Sequence, residues 1–126
     1  MPGDTVSDER TSLHDVKEKV RVFCEDREWD VFHGPKDLAI GIVTEAAEVL
    51  DHFRFLGGEE CSQLLSDPGK RSAVEEELAD VLFFVLRFSQ RFGMDLSCAL
   101  DRKLAKNAHR YPIDKARGRN LKYTEL

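Results

Sequence analysis

DLAIGIVTEAAEVLDHF (37–53) and EELADVLFFVLRF (76–88) decide the fold of this chain. In the first, Leu38, Ala39, Ile40, Ile42, Val43, Ala46, Ala47, Val49, Leu50 and Phe53 point in nearly every direction around a helix axis. In the second, Leu78, Ala79, Val81, Leu82, Phe83, Phe84, Val85, Leu86 and Phe88 do the same. Neither segment alternates with the period of two that a half-buried strand requires. A helix that is apolar all round has to be buried all round. The chain has 126 residues, enough for one domain with a single core. One such core does not easily cover two helices of this kind, so oligomerisation is expected.

Two further helical stretches flank this pair. The first runs from about Ser12, an N-cap with Asp15 three residues on, to about Glu28, and carries the apolar stripe Leu13, Val16, Val20 and Phe23. A break follows at His33-Gly34-Pro35. The second helix is expected from about Asp37 to Leu56, stopping at Gly57-Gly58. GGEECSQLLSDPGK (57–70) reads as a polar loop. The third helix is expected from about Ser72 to Phe92, ended by Gly93. A fourth, capped by Asp95 or Ser97, runs to about Arg110 and is terminated by Pro112, which biases Tyr111 towards an extended form. The fold class is therefore all-α, of four-helix-bundle type. Residues 1–126 form one domain, with 1–11 expected to be flexible. The tail, IDKARGRNLKYTEL (113–126), is an arm packing on its own or a neighbouring subunit.

Composition narrows the function. Hydrophobic residues make up 41% and charged residues 34%, as in ordinary soluble domains. The longest apolar run, Val81 to Leu86, is far too short for a bilayer, so no membrane partner is expected. The start, MPGDTVSDERTS, lacks a basic region followed by an apolar one, and no secretory signal is expected. Cys24, Cys61 and Cys98 are widely spaced, with no CxxC pair, which argues against a disulfide framework or zinc knuckle and for a reduced, cytoplasmic setting. A net charge of −5 argues against a general grip on nucleic acid. It leaves room for a small anionic ligand, because a bound cation reverses the sign locally.

EAAEVL (45–50) and ELADVL (77–82) share one pattern, E-x-A-[E/D]-V-L. Residues three apart on a helix lie on one face, so Glu45 pairs with Glu48 and Glu77 with Asp80. One such pair is commonly a solvated surface. Two with the same flanks, both set in apolar helix, suggest two pseudosymmetric helices whose acid faces meet. Carboxylates there are costly to bury and repel one another. Protonation, Lys/Arg partners or a metal would relieve them, and the nearest bases, Arg54 and Arg87, are few. A hard divalent cation answers both difficulties; Mg²⁺ favours carboxylates plus water and takes substrate phosphates into its shell, with Mn²⁺ a possible substitute. A di-iron bundle would need Glu-x-x-His on two helices, and Glu48 and Asp80 stand where His is required.

Towards the C-terminus, Lys103 and Asn107 share a face beside Lys106 and Arg110. They suit a phosphate chain, or they complement the helix macrodipole. Trp29, Phe32, Phe53, Phe55, Phe84 and Phe88 are core or stacking surfaces. Trp29, in a break, and Phe55, at a helix end, are the better candidates for stacking on a base.

The order ExxE, ExxD, KxxxN resembles the MazG-like all-α nucleoside triphosphate pyrophosphohydrolases, and within them the dCTP pyrophosphatase group. The resemblance is carried by WDVFHGPKDL (29–38), EAAEVL, EELADVL (76–82), KLAKNAHRYP (103–112) and ARGRNLKYTEL (116–126), over roughly residues 12–126. It implies hydrolysis of a deoxynucleoside triphosphate, dCTP or a related pyrimidine nucleotide, to the monophosphate and pyrophosphate, a house-cleaning reaction of the nucleotide pool. It implies Mg²⁺ held by Glu45, Glu48, Glu77 and Asp80, which also form the catalytic set. It implies a homotetramer, a dimer of dimers of intertwined chains with sites between subunits. Trp29 matches a tryptophan lining the base pocket, and His33, Phe55 and Phe84 are the further base-side candidates. Lys103, Asn107, Arg110 and Tyr111 match positions that hold phosphates. Phe55 stands where vertebrate members have Trp, Phe84 where they have Tyr, and Val20 where they have His. Stacking survives these changes, whereas hydrogen-bonded readout of the base is altered. The alternatives are another base, dUTP or a broad dNTP range, and a non-catalytic helical oligomer that binds a cation or nucleotide.

Overall fold

The computed structural model describes residues 6–126, and every regular element in it is helical. The elements are α1 (Leu13–Asp26), α2 (Pro35–Asp51), α3 (Gly58–Leu64), α4 (Pro68–Arg91), α5 (Leu96–Arg110) and α6 (Ile113–Ala116), with 3₁₀ turns at Asp30–Phe32 and Tyr123–Glu125. The all-α class expected from the sequence holds. The chain divides into two compact units, one ending at Gly93 and one covering Met94–Leu126. Of the stretch expected to be flexible, residues 1–5 lie outside the described residues; Ser7–Thr11 close a turn in which the Arg10 and Thr11 amides donate to the Ser7 carbonyl at 3.1 and 2.9 Å.

α1 begins as its sequence dictates. The Ser12 hydroxyl accepts from the Asp15 amide and the Asp15 carboxylate accepts from the Ser12 amide, each at 3.1 Å. Its end is less ordinary. The Trp29 amide donates to the Cys24 carbonyl and the Glu28 amide to that of Glu25, both at 3.0 Å. This is a Schellman pattern, which needs a left-handed residue at Glu28, and Glu28 has φ +55°. The accompanying apolar contact is Trp29 on Phe23, ring centroids 5.7 Å apart.

Three boundaries differ from expectation. α2 ends at Asp51 rather than Leu56, because the chain tightens into turns closed by Phe53 on Leu50 (2.8 Å) and Leu56 on Phe53 (2.9 Å). The polar segment after Gly57 is helical: Gly57 is the N-cap of α3, and Glu60 accepts its amide at 3.4 Å. α4 starts at Pro68, ahead of Ser72, because Asp67 caps the Lys70 amide at 2.9 Å and proline suits the first helical position. At the other end of α4, Gly93 has φ +66° and stops the helix as expected.

In the first unit α4 packs on both α2 and α1. Its buried residues come from all three: Cys24, Leu38, Val74 and Leu86, with Arg87 and Ser89. Gly41 lets α4 approach closely, since a Cβ there would lie 2.5 Å from the Phe84 ring. Within the chain the two apolar helices are covered on part of their circumference. Ile40, Val43 and Leu50 on α2 and Leu78 and Leu82 on α4 stay open, Val43 at 70% exposure. In the second unit α5 is capped by Asp95, which accepts the Cys98 amide at 2.9 Å. α6 interrupts the tail expected to be irregular. No helix among the described residues is long and apolar enough to cross a membrane.

Candidate active site

The packing of α4 on α2 turns two sequence pairs into one cluster. Glu45, Glu77 and Asp80 each offer a carboxylate oxygen, and the three oxygens lie within 4.8 Å of one another. Glu45 and Glu77 are half-buried and Asp80 is exposed. Glu48, one turn beyond Glu45, is exposed and outside this trio. Its charge is still felt. The Glu45 carboxyl is pushed above its ordinary pKa, first by loss of water around it and then by repulsion from Asp80, Glu48 and Glu77.

The two arginines closest in sequence do not relieve this repulsion. Arg54 lies 3.9 Å from Asp51 and stacks over Phe55 at 4.6 Å. Arg87 is committed to Asp30, His33 and Gln90. An imidazole neighbour does come from α2's C-cap: His52 Nε2 sits 3.8 Å from Glu77 Oε1. Sequence reasoning passed over this contact, which depends on how α2 meets α4. The donor set fits a hard divalent cation. It is all carboxylate oxygen, and opposite ligands of an octahedral Mg²⁺ stand about 4.2 Å apart, close to the spread of the trio.

The base-side candidates divide. Trp29 is held by the α1 terminus and meets His33 edge-on at 5.9 Å. From Trp29 the contacts run through Phe23 to Phe83 (6.0 Å) and on to Phe84 (5.3 Å). Trp29, His33 and Phe84 thus belong to one aromatic chain. Its links, Phe23 and Phe83, read in the sequence as plain core, and their joining role depends on how α1 meets α4. Phe55 stands apart, 84% exposed on the turn after α2.

The phosphate-side candidates lie in the second unit. Lys103 is exposed and Asn107 half-buried on α5. Arg110 stacks over Tyr123 at 4.8 Å, and Tyr111 meets the same ring edge-on at 6.0 Å. Tyr123, within the quoted KYTEL ending but not among the expected site residues, braces both.

The MazG-like family profile matches residues 40–126, which contain the whole acid quartet and α5. Human dCTP pyrophosphatase 1 is 33% identical over 125 residues, covering 99% of this chain and 74% of that protein. The Bos taurus protein of the same name is 33% identical over 115 residues, covering 91% of this chain and 68% of its own. A crystal structure of a pyrophosphatase from Archaeoglobus fulgidus superposes with a TM-score of 0.75 at 33% identity, covering 79% of this chain and 92% of that one. The chain belongs to the MazG-like family.

Proposed function

We propose that this protein is a nucleoside triphosphate pyrophosphohydrolase that acts with Mg²⁺ on dCTP or a related pyrimidine deoxynucleotide. The observation that carries the reading is the carboxylate trio on α2 and α4, without an arginine partner, in a relative of dCTP pyrophosphatases. Glu45, Glu77 and Asp80 would hold the cation, with Glu48 completing the set. When bound, the cation supplies positive charge beside the polyphosphate and acidifies water.

The chain's own residues do the rest. Glu48, outside the trio and with oxygens to spare, orients a water and takes its proton. The water oxygen bonds to the α-phosphorus as the bond to the bridging oxygen breaks, releasing pyrophosphate. Lys103 and Arg110 offset the charge that develops on the leaving group, and Asn107 and Tyr111 hold the phosphate chain. Trp29, Phe84 and Phe55 supply stacking surface for the base, and His33 a polar contact. The open apolar strips on α2 and α4 support a homotetramer, a dimer of dimers, as the working form. The free thiols of Cys24, Cys61 and Cys98 support a reducing, cytosolic compartment.

Incubation with each dNTP and Mg²⁺, assayed separately for pyrophosphate and orthophosphate, tests this. Pyrophosphate released fastest from a pyrimidine dNTP supports the proposal. Orthophosphate as the first product indicates a phosphatase, and no turnover with retained nucleotide binding indicates a binding protein.

A further inference from the structure

Arg87 is a fully buried cation on α4, and the proposed chemistry does not use it. Each of its three nitrogens donates a hydrogen bond. Nη2 donates to Asp30 Oδ1, Nη1 to Gln90 Oε1 at 2.7 Å, and Nε to His33 Nδ1 at 2.9 Å. Two of these partners lie more than fifty residues away in sequence, in the short segment that carries Trp29. Taking a guanidinium out of water costs several kcal/mol, roughly, even after relaxation, so its site has to be well satisfied. The Asp30 carboxylate provides the countercharge, with Arg91 Nε a further 4.0 Å neighbour.

The bond to His33 has a chemical consequence. An arginine Nε–H can only donate, so Nδ1 of His33 must offer its lone pair. A neutral imidazole carries one N–H, and here it is therefore on Nε2. Burial, and then the Arg87 charge, hold His33 below its ordinary pKa, which keeps the ring neutral. Among the described residues Nε2 has no hydrogen-bond partner. The ring meets Trp29 edge-on at 5.9 Å.

We propose that Arg87 is a positioning residue that locks His33 with its proton on Nε2, so that His33 donates to an acceptor on the base of a bound nucleotide. The group recognised is a ring carbonyl oxygen or unprotonated ring nitrogen, not an exocyclic amino group. The nucleotide half of this statement rests on the pyrophosphohydrolase reading; the Arg87–His33 lock does not.

Two measurements test it. Nitrogen-15 NMR of the wild-type protein, with the His33 signals assigned by their loss in His33→Ala, should show a pyrrole-type Nε2 and a pyridine-type Nδ1 at neutral pH. A charged ring, or the proton on Nδ1, overturns the lock, and this readout needs no Arg87 variant to fold. Arg87→Lys keeps a cation opposite Asp30 but loses the side-on Nε–H. It should erase the His33 pattern and raise KM for dCTP roughly five- to tenfold with kcat little changed, the worth of about one hydrogen bond. In a His33→Ala background the same Arg87→Lys change should leave KM within about twofold. An equal rise in both backgrounds overturns the proposal, because Arg87 would then act by shaping the segment and not through His33. Failure of the wild-type protein to hydrolyse any dNTP would sink the functional reading and the base contact with it, while the NMR pattern would still decide the lock.

Discussion

Glu28 shows how much one residue's backbone can settle. It is the only described non-glycine residue with positive φ, and that conformation lets the chain turn so that Trp29 lands on Phe23. A side chain in that region costs on the order of 1 kcal/mol. Glu28→Gly is therefore expected to stabilise the protein by about 1 kcal/mol. A higher urea midpoint with an unchanged slope, and unaltered emission from the single tryptophan, would check this. Glu45 makes a second residue-scale prediction. Its folded pKa is raised, so between the unfolded and folded values the native carboxyl binds more protons than the unfolded one. Stability without metal then falls as pH rises through that window and stays lower above it. Glu45→Gln should melt higher than wild type at neutral pH in chelator, lose that pH dependence, and gain less from added Mg²⁺. A wild-type melting curve flat across the acid range would contradict the assignment. The sequence marked Trp29 as lying in a break. It did not mark Glu28, because left-handed geometry is normally signalled by glycine.

At the scale of elements, the four long helices were legible because each carries its own periodicity and stop signals. α3 was not. Cys61, Leu64 and Leu65 have helical spacing, but seven residues of mostly polar helix give a weak signal that packing has to complete. The early start of α4 was written in Asp67-Pro68, a cap followed by a first-turn proline. Asp67→Ala should cost about 1 kcal/mol, read from a denaturant melt. The closeness of α2 and α4 hangs on Gly41. Gly41→Ala would press a methyl into the Phe84 ring and is expected to destabilise by roughly 1–3 kcal/mol. Phe84→Leu in the same background should recover part of that loss. The acid pairs were legible for the same reason as the helices, since three-residue spacing belongs to one element. Which three of the four carboxylates converge depends on the depth of the α2–α4 contact, and spacing within one helix does not encode that. The Arg87 cluster was illegible for a related reason: its partners come from a segment far away in the chain.

For the whole molecule, the two helices that read as apolar all round have open strips in the single chain. Among the described residues, four buried apolar side chains make a small core for a protein of this length. Light scattering after gel filtration is expected to give the mass of a tetramer. Val43→Glu, on the open strip of α2, should shift the protein to smaller and less stable species. A wild-type monomer that melts cooperatively at micromolar concentration would refute the assembly. The proposed reaction would rest on carboxylates of α2 and α4 acting together around a cation. The most direct test is the rate of pyrophosphate release from dCTP and Mg²⁺ by Glu77→Gln, with helix content checked by circular dichroism. Loss of at least about a hundredfold in turnover, in a variant as helical as wild type, is the expected result. Near-normal magnesium-dependent turnover would contradict it.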